Sequence, residues 1–232
     1  MQHRTIKGKI SYITDDVGEM GREWFTVTVH TDGSRTMRAL TEMDDDGLVR
    51  DITYSVDKDF RPLDCFVRLT IDDRFQGSGW FHFTETHAEC ESFTVDAGRI
   101  SQRWPLQGRA PLFTGHSVAA DAWGNACFDF ARKDETQTFF PRLTSSPLGN
   151  GGSGPMLGDT TTVTPIPGTL ELDYVAEEEI TVPAGTFTCD RLILNKGKIP
   201  RFETWTSGPD FLPVQLRYDR LNQYYKLVEL EM

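Results

Sequence analysis

The residues best suited to proton chemistry sit together in Thr114-Gly115-His116-Ser117, with Asp121 five positions on and Trp123 just beyond. An unperturbed imidazole titrates near pH 6.5 and its neighbours move that value, so His116 as acid/base with Asp121 orienting it would suit proton transfer at neutral pH. A plainer role fits the same residues: His116 and Ser117 start a helix and Asp121 anchors it. Trp80, Trp104, Trp123, Trp205 and Tyr54 are bulky enough to line an apolar cavity, with His82, Arg50, Arg103 and Arg201 as the few polar contacts that orient a guest. An arginine such as Arg103 or Arg201 would hold an anionic group of that guest. Taken singly, each aromatic is better explained as core.

Other chemistries fail on spacing. The chain has no GxGxxG, Walker loop, HExxH, GxSxG elbow or EF-hand loop. Gly151-Gly152-Ser153-Gly154 lacks the Lys-Ser/Thr and the leading strand of a phosphate loop. The histidines are His3, His30, His82, His87 and His116. On a strand read from Trp80 to Thr86, His82 shares a face with Trp80 and Thr84, whereas His87 falls with Phe81, Phe83 and Glu85. The two would not meet on one metal without a bulge, and a set of His87, Glu89 and Cys90 reads more simply as a solvated hairpin. The expectation is therefore no metal and no cofactor. Cys65, Cys90, Cys127 and Cys189 are far apart, with no CxxC pair, and read as small core residues in a reducing compartment.

A formal charge of -11 repels phosphate backbones, and no dense run of Lys or Arg overrides it, so nucleic acid and anionic membrane are poor partners. The N-terminus lacks the apolar stretch of a secretory signal and no span is long and apolar enough to insert in a membrane. The expected address is cytoplasmic; a chain whose leader had been removed would read the same and be periplasmic. The 232 residues, 38% hydrophobic with 15 Phe, suffice for one large β-domain over 1–232.

Stepping outward from the candidate residues, most of the chain alternates with period two. In Glu23 to His30, Phe25, Val27 and Val29 share one face, with Trp24, Thr26, Thr28 and His30 on the other. Asp-Gly turns such as Asp32-Gly33 follow, and short strands recur at Met37 to Met43, Leu48 to Val56, Cys65 to Ile71, Trp80 to Thr86, Glu89 to Val95 and Ile100 to Trp104. That spacing marks an antiparallel barrel or sandwich. Glu177 to Met232 repeats the pattern as a meander. In between, apolar residues at threes and fours from Ser117 to Arg132 predict one helix of about four turns, weakened by Gly124 and Asn125 into something short or kinked that packs over a barrel end. Residues 144 to 168, rich in Gly, Ser, Thr and Pro, read as a lid or a mobile connector.

Two stretches echo each other at a constant offset of 151: RDITYSVDKDFRP from Arg50 and RFETWTSGPDFLP from Arg201. Each reads as a strand, an Asp-Phe-x-Pro corner and a second strand, with Asp59 and Asp210 capping the turns and Phe60 and Phe211 plugging the barrel ends.

VPAGTF (Val182 to Phe187), the Trp205 to Pro213 segment and a final amphipathic strand resemble the C-terminal signature of bacterial domain families of unknown function, described as lipocalin-like or lipoprotein-carrier-like half barrels. DAWGNACFDFAR (Asp121 to Arg132) is similar to their mid-chain helix. The resemblance covers about half the chain. It implies an antiparallel up-and-down barrel or half barrel with a short helix across an end, in proteins that usually look exported, and implies fold more than activity. Three readings follow: a cofactor-independent lyase or isomerase acting on a small apolar or aromatic molecule, a non-catalytic small-molecule or lipid carrier, and a module whose outer sheet face binds another protein.

Overall fold

Period-two alternation becomes one long sheet in the computed structural model, which describes residues 2–114, 117–147, 153–157, 168–195, 202–219 and 222–232. The first half runs up and down through β1 (Arg4–Thr14), β2 (Gly18–Val29), β3 (Arg35–Met43), β4 (Leu48–Val56), β5 (Pro62–Ile71), β6 (Arg74–Phe83), β7 (His87–Thr94) and β8 (Gly98–Pro105). A short β9 (Leu112–Thr114) leads to α1 (Val118–Asp121) and two 3₁₀ segments, Ala122–Cys127 and Phe130–Arg132. The second half holds β10 (Gln137–Pro147), β11 (Ser153–Leu157), β12 (Gly168–Val182), β13 (Gly185–Leu194), β14 (Phe202–Ser207), β15 (Leu212–Tyr218) and β16 (Gln223–Glu231).

The strand order is β11-β10-β12-β13-β14-β15-β16-β1-β2-β3-β4-β5-β6-β7-β8, and β9 pairs parallel to β10 off that path. The antiparallel pairing of β1 with β16 joins the halves. The sheet curls until β11 lies against β5, β6 and β7. Among the described residues β8 and β11 do not pair, so the architecture is a half barrel rather than a closed barrel. No helix among the described residues is long and apolar enough to cross a membrane.

The inward parity carries the core: Phe25 and Val27 on β2, Met37 and Ala39 on β3, Ile52 and Tyr54 on β4, Cys65 and Val67 on β5, Phe81 and Phe83 on β6, all buried. The four cysteines are free; three are buried and Cys127 is half-buried. A smaller apolar cluster of Leu112, Phe128, Leu170, Leu172 and Leu192 sits under the 3₁₀ segments.

The helix is shorter than its spacing suggested. Ser117 caps α1, its side chain accepting from the Ala120 N–H at 2.9 Å, and the chain tightens to 3₁₀ after one turn. The side chain of Asn125 is held by Thr204 (2.8 Å) and Thr206 (3.1 Å) on β14, and this tie to the sheet wins over local helical propensity. Part of 144–168 is strand, in β10 and β11; 148–152 and 158–167, where a lid would fall, lie outside the described residues.

The two echoing corners share one backbone. Phe60 (φ 61°) and Phe211 (φ 49°) both sit in the left-handed region, and their N–H groups donate to the Asp57 and Gly208 carbonyls at 3.1 Å each. A bulky residue is strained there. The strain is offset where the rings meet edge to face at 5.1 Å and Arg35 lies 4.0 Å over Phe60. The capping expectation for Asp59 is corrected: Asp57 accepts from the Asp59 and Arg61 N–H groups, at 2.9 Å each, while Asp59 pairs with Lys58 in solvent. Asp210 instead takes ion pairs from Arg4 and Arg35.

Candidate functional site

β2 puts one carboxylate on its apolar parity, Glu23, beside Phe25 and Val27, and it is fully buried. A carboxylate taken out of water must find donors. It finds four: the Tyr12 hydroxyl at 2.8 Å, the Thr41 hydroxyl at 2.9 Å, and the N–H groups of Val118 (3.1 Å) and Ala119 (2.9 Å) at the start of α1. Burial pushes the Glu23 carboxyl above its usual range, and the four hydrogen bonds pull the other way.

Around Glu23 the interior is charged. Arg50, inward on β4 between Leu48 and Ile52, is 5% exposed; burial lowers its guanidinium, while Tyr12, Glu23 and Asp121 hold it up. Arg142 on β10 is lowered in the same way, supported by Asp121, and points its Nε and Nη2 at the Thr114 hydroxyl at 3.4 and 3.5 Å. Asp121, half-buried at the end of α1, is thus the carboxylate that acts on both arginines. Two buried or half-buried phenols lie near these charges. Tyr12 and Tyr225 meet edge to face at 4.8 Å, Tyr225 donates to Gln223 at 2.6 Å, and burial raises both phenols.

An aromatic tier adjoins these charges. Trp123 packs on Tyr54 (5.7 Å) and Phe60 (5.8 Å), and Phe113 packs on Tyr54 (6.1 Å), Phe81 (5.0 Å) and Phe83 (4.8 Å). The space beside Trp123, lined also by Phe25, Met37 and Leu212, measures about 10 Å³, room for a single water.

The residues singled out from sequence therefore divide. Tyr54, Trp123, Arg50 and Asp121 come together in the interior. Trp80 is 43% exposed on the outward face, where it stacks on His82 at 5.2 Å with the rings 10° apart. In the same outer region Glu89 sits 4.0 Å from His82, 3.2 Å from His87 and 3.4 Å from Arg103. The opposite-parity placement of His82 and His87 does not hold, because β6 ends at Phe83 and β7 begins at His87, so the intervening turn brings both beside Glu89. Cys90 is buried on the inward side, and no group of three or more His, Cys, Asp or Glu among the described residues could hold a metal ion.

Trp104 is on the outer strand β8, 37% exposed. Trp205 is buried, its indole N–H donating to Glu178 at 2.6 Å beneath Arg191, which lies 4.9 Å from its ring. The Trp205–Glu178 bond ties β14 to β12, and separately the Ala184 N–H in the β12–β13 turn reaches the Leu227 carbonyl on β16 at 3.3 Å. His116 and Arg201 lie outside the described residues.

No protein-family model matches the chain, and no curated protein matches it. Solved structures similar to it include the following two. A β-barrel-like protein of a domain of unknown function from Brucella abortus has a TM-score of 0.49 at 12% identity, covering 99% of this chain and 96% of that one. A putative exported protein with a YmcC-like fold from Bacteroides fragilis has a TM-score of 0.33 at 8% identity, covering 98% and 95%.

Glu23, Tyr12, Arg142 and Tyr225 were not singled out from sequence. A signal for Glu23 was present, because it alternates in register with Phe25 and Val27, although Glu19 on the same parity is exposed beyond a register shift. Arg142 had none: it adjoins a Gly-, Ser- and Pro-rich stretch and meets Asp121 only through the fold.

Proposed function

We propose that this chain binds a small molecule with an apolar or aromatic body and an anionic group, the group going to Arg50 and Arg142 and the body to the tier of Tyr54, Phe113 and Trp123. What carries the reading is that two guanidiniums, the buried Arg50 on β4 in one half of the sheet and the half-buried Arg142 on β10 in the other, both lose hydration and both feel the Asp121 carboxylate. Burying an ion costs several kcal/mol after relaxation, and apolar residues of similar volume often fill such a place at no loss of stability. Guanidiniums held in place by the fold are well suited to a carboxylate or phosphate. With room for only one water beside Trp123, the guest enters by moving side chains at the open side of the half barrel.

The catalytic form of this reading gives His116 the proton transfer and Asp121 its orientation, as in a cofactor-independent lyase or isomerase; the carrier form needs neither. One experiment addresses both. Affinity and turnover are measured over a panel of aromatic and aliphatic carboxylates for the parent, Arg142→Met and His116→Ala. Arg142→Met is expected to weaken binding by about tenfold or more, the loss of one charge-assisted contact. His116→Ala abolishes turnover at unchanged affinity in the catalytic form, whereas tight binding by a parent without turnover assigns the carrier. Affinity untouched by Arg142→Met would sink the site.

A further inference from the structure

The outward face of β2 to β5 carries a cleft of about 460 Å³, within the size range of small-molecule sites and separate from the buried arginines. Trp24 and Phe66 form its walls, and Thr26, Arg38, Asp51 and Thr53 line it between them. The register explains the arrangement. Trp24 stands opposite Leu40 and Leu40 opposite Asp51; in the adjacent row Thr26 faces Arg38, Arg38 faces Thr53, and Thr53 faces Phe66. Trp24 and Phe66 are three strand spacings apart, roughly 14 Å. They remain 37% and 43% exposed, and Trp80, directly across from Phe66, extends the second wall.

We infer that this cleft binds a neutral carbohydrate chain. Its lining offers one cation and one anion, Arg38 and Asp51, so it has no net preference for a charged guest, and the -11 charge of the chain repels polyanions. A purely apolar partner would have to desolvate both charged groups without replacing their water. Neither guanidinium beside Asp51 is committed to it: Arg38 donates to the Thr28 hydroxyl at 3.3 Å, and Arg68 lies 4.6 Å over the Phe75 ring. A sugar ring matches what remains. Its C–H faces stack on Trp24, Phe66 and Trp80, and its hydroxyls accept from Arg38, donate to Asp51 and do either with Thr26 and Thr53. Fixed aromatic walls about three strands apart, with hydrogen-bonding groups between them, suit consecutive sugars of an extended chain.

The test titrates the full chain with soluble oligosaccharides of glucose and of N-acetylglucosamine, following tryptophan fluorescence, and repeats it for Trp24→Ala and Asp51→Asn. Saturable binding to at least one series is expected, weakened by about tenfold or more in each variant, as for loss of a stacking or charge-assisted contact. Both side chains are outside the core, so the urea midpoint should stay with the parent. Absence of binding to every oligosaccharide, or binding indifferent to both variants, overturns the inference. Pelleting with anionic phospholipid vesicles, or self-association in the ultracentrifuge, that Trp24→Ala abolishes would assign the cleft to lipid or to a second copy and overturn it equally. Arg142→Met should leave sugar binding unchanged, which keeps this outcome separate from that of the interior site.

Discussion

On the inward side of β2, Glu23 meets four donors and no solvent; one residue on and facing the other way, Trp24 has a lysine ammonium 5.5 Å from its ring and is otherwise open to water. Both sides of this sheet set aromatic rings beside charged groups. Inside, the Glu23 carboxylate is matched by four donors, because an unmatched one would forfeit its hydration with nothing in return. Outside, Arg38, Asp51 and Arg68 rest in solvent, where screening makes pairing nearly optional. The difference separates a carboxylate that the fold itself satisfies from charges that water satisfies.

The sharpest way to break this contrast is to delete Glu23. Glu23→Ala leaves Tyr12, Thr41 and the first N–H groups of α1 without their acceptor and Arg50 with one less counter-charge, and should lose about 3–5 kcal/mol in urea unfolding. A loss under about 1 kcal/mol, the scale of one ordinary hydrogen bond, would mean that the carboxylate does not organise the interior.

A smaller effect is expected from titration. Burial raises the Glu23 carboxyl above its unfolded value, so just above the ordinary glutamate range the folded chain holds more proton than the unfolded one. Stability contributed by this group therefore falls as pH rises through that window and is flat below it. Glu23→Gln removes the titration, and its stability should be less dependent on pH there than the parent's in paired urea curves. Identical slopes would place the titration in another group.

The smallest effect belongs to the outward face. Trp80→Ala, although it removes the largest of side chains, should change stability by no more than about 0.5 kcal/mol, because the ring is half in water and rests mainly on His82. A loss comparable to that of Glu23→Ala would erase the distinction between the two sides.

Much of the sheet could be read from the chain, since parity is local: Phe25 and Val27 against Trp24 and Thr26 sort in space as they alternate in sequence. The echo from Arg50 and Arg201 also survives, in two phenylalanines with the same left-handed backbone packed on each other. Parity says which residues share a face, but it does not say which face is inside. Trp80 and Tyr54 are both strand aromatics, and only the curl of the sheet puts one in solvent and the other in the core. The turn at Thr84 to Thr86 shows a second limit, because ending a strand three residues early sends His87 toward the same glutamate as His82. Asn125 shows a third: its threonine partners are 79 and 81 residues away, and no window on the sequence could have shown that they would shorten α1.

The open side of the half barrel has a consequence for how copies of this chain treat one another. Among the described residues β8 ends the sheet, so its outer backbone groups offer a template on which a strand from another molecule could crystallise. Arg99 and Arg103 project from it into solvent and Pro105 closes it, so an incoming strand would have to smother two guanidiniums and forgo a donor at the end. An edge so charged, and ending in a proline, is a poor seed for fibres.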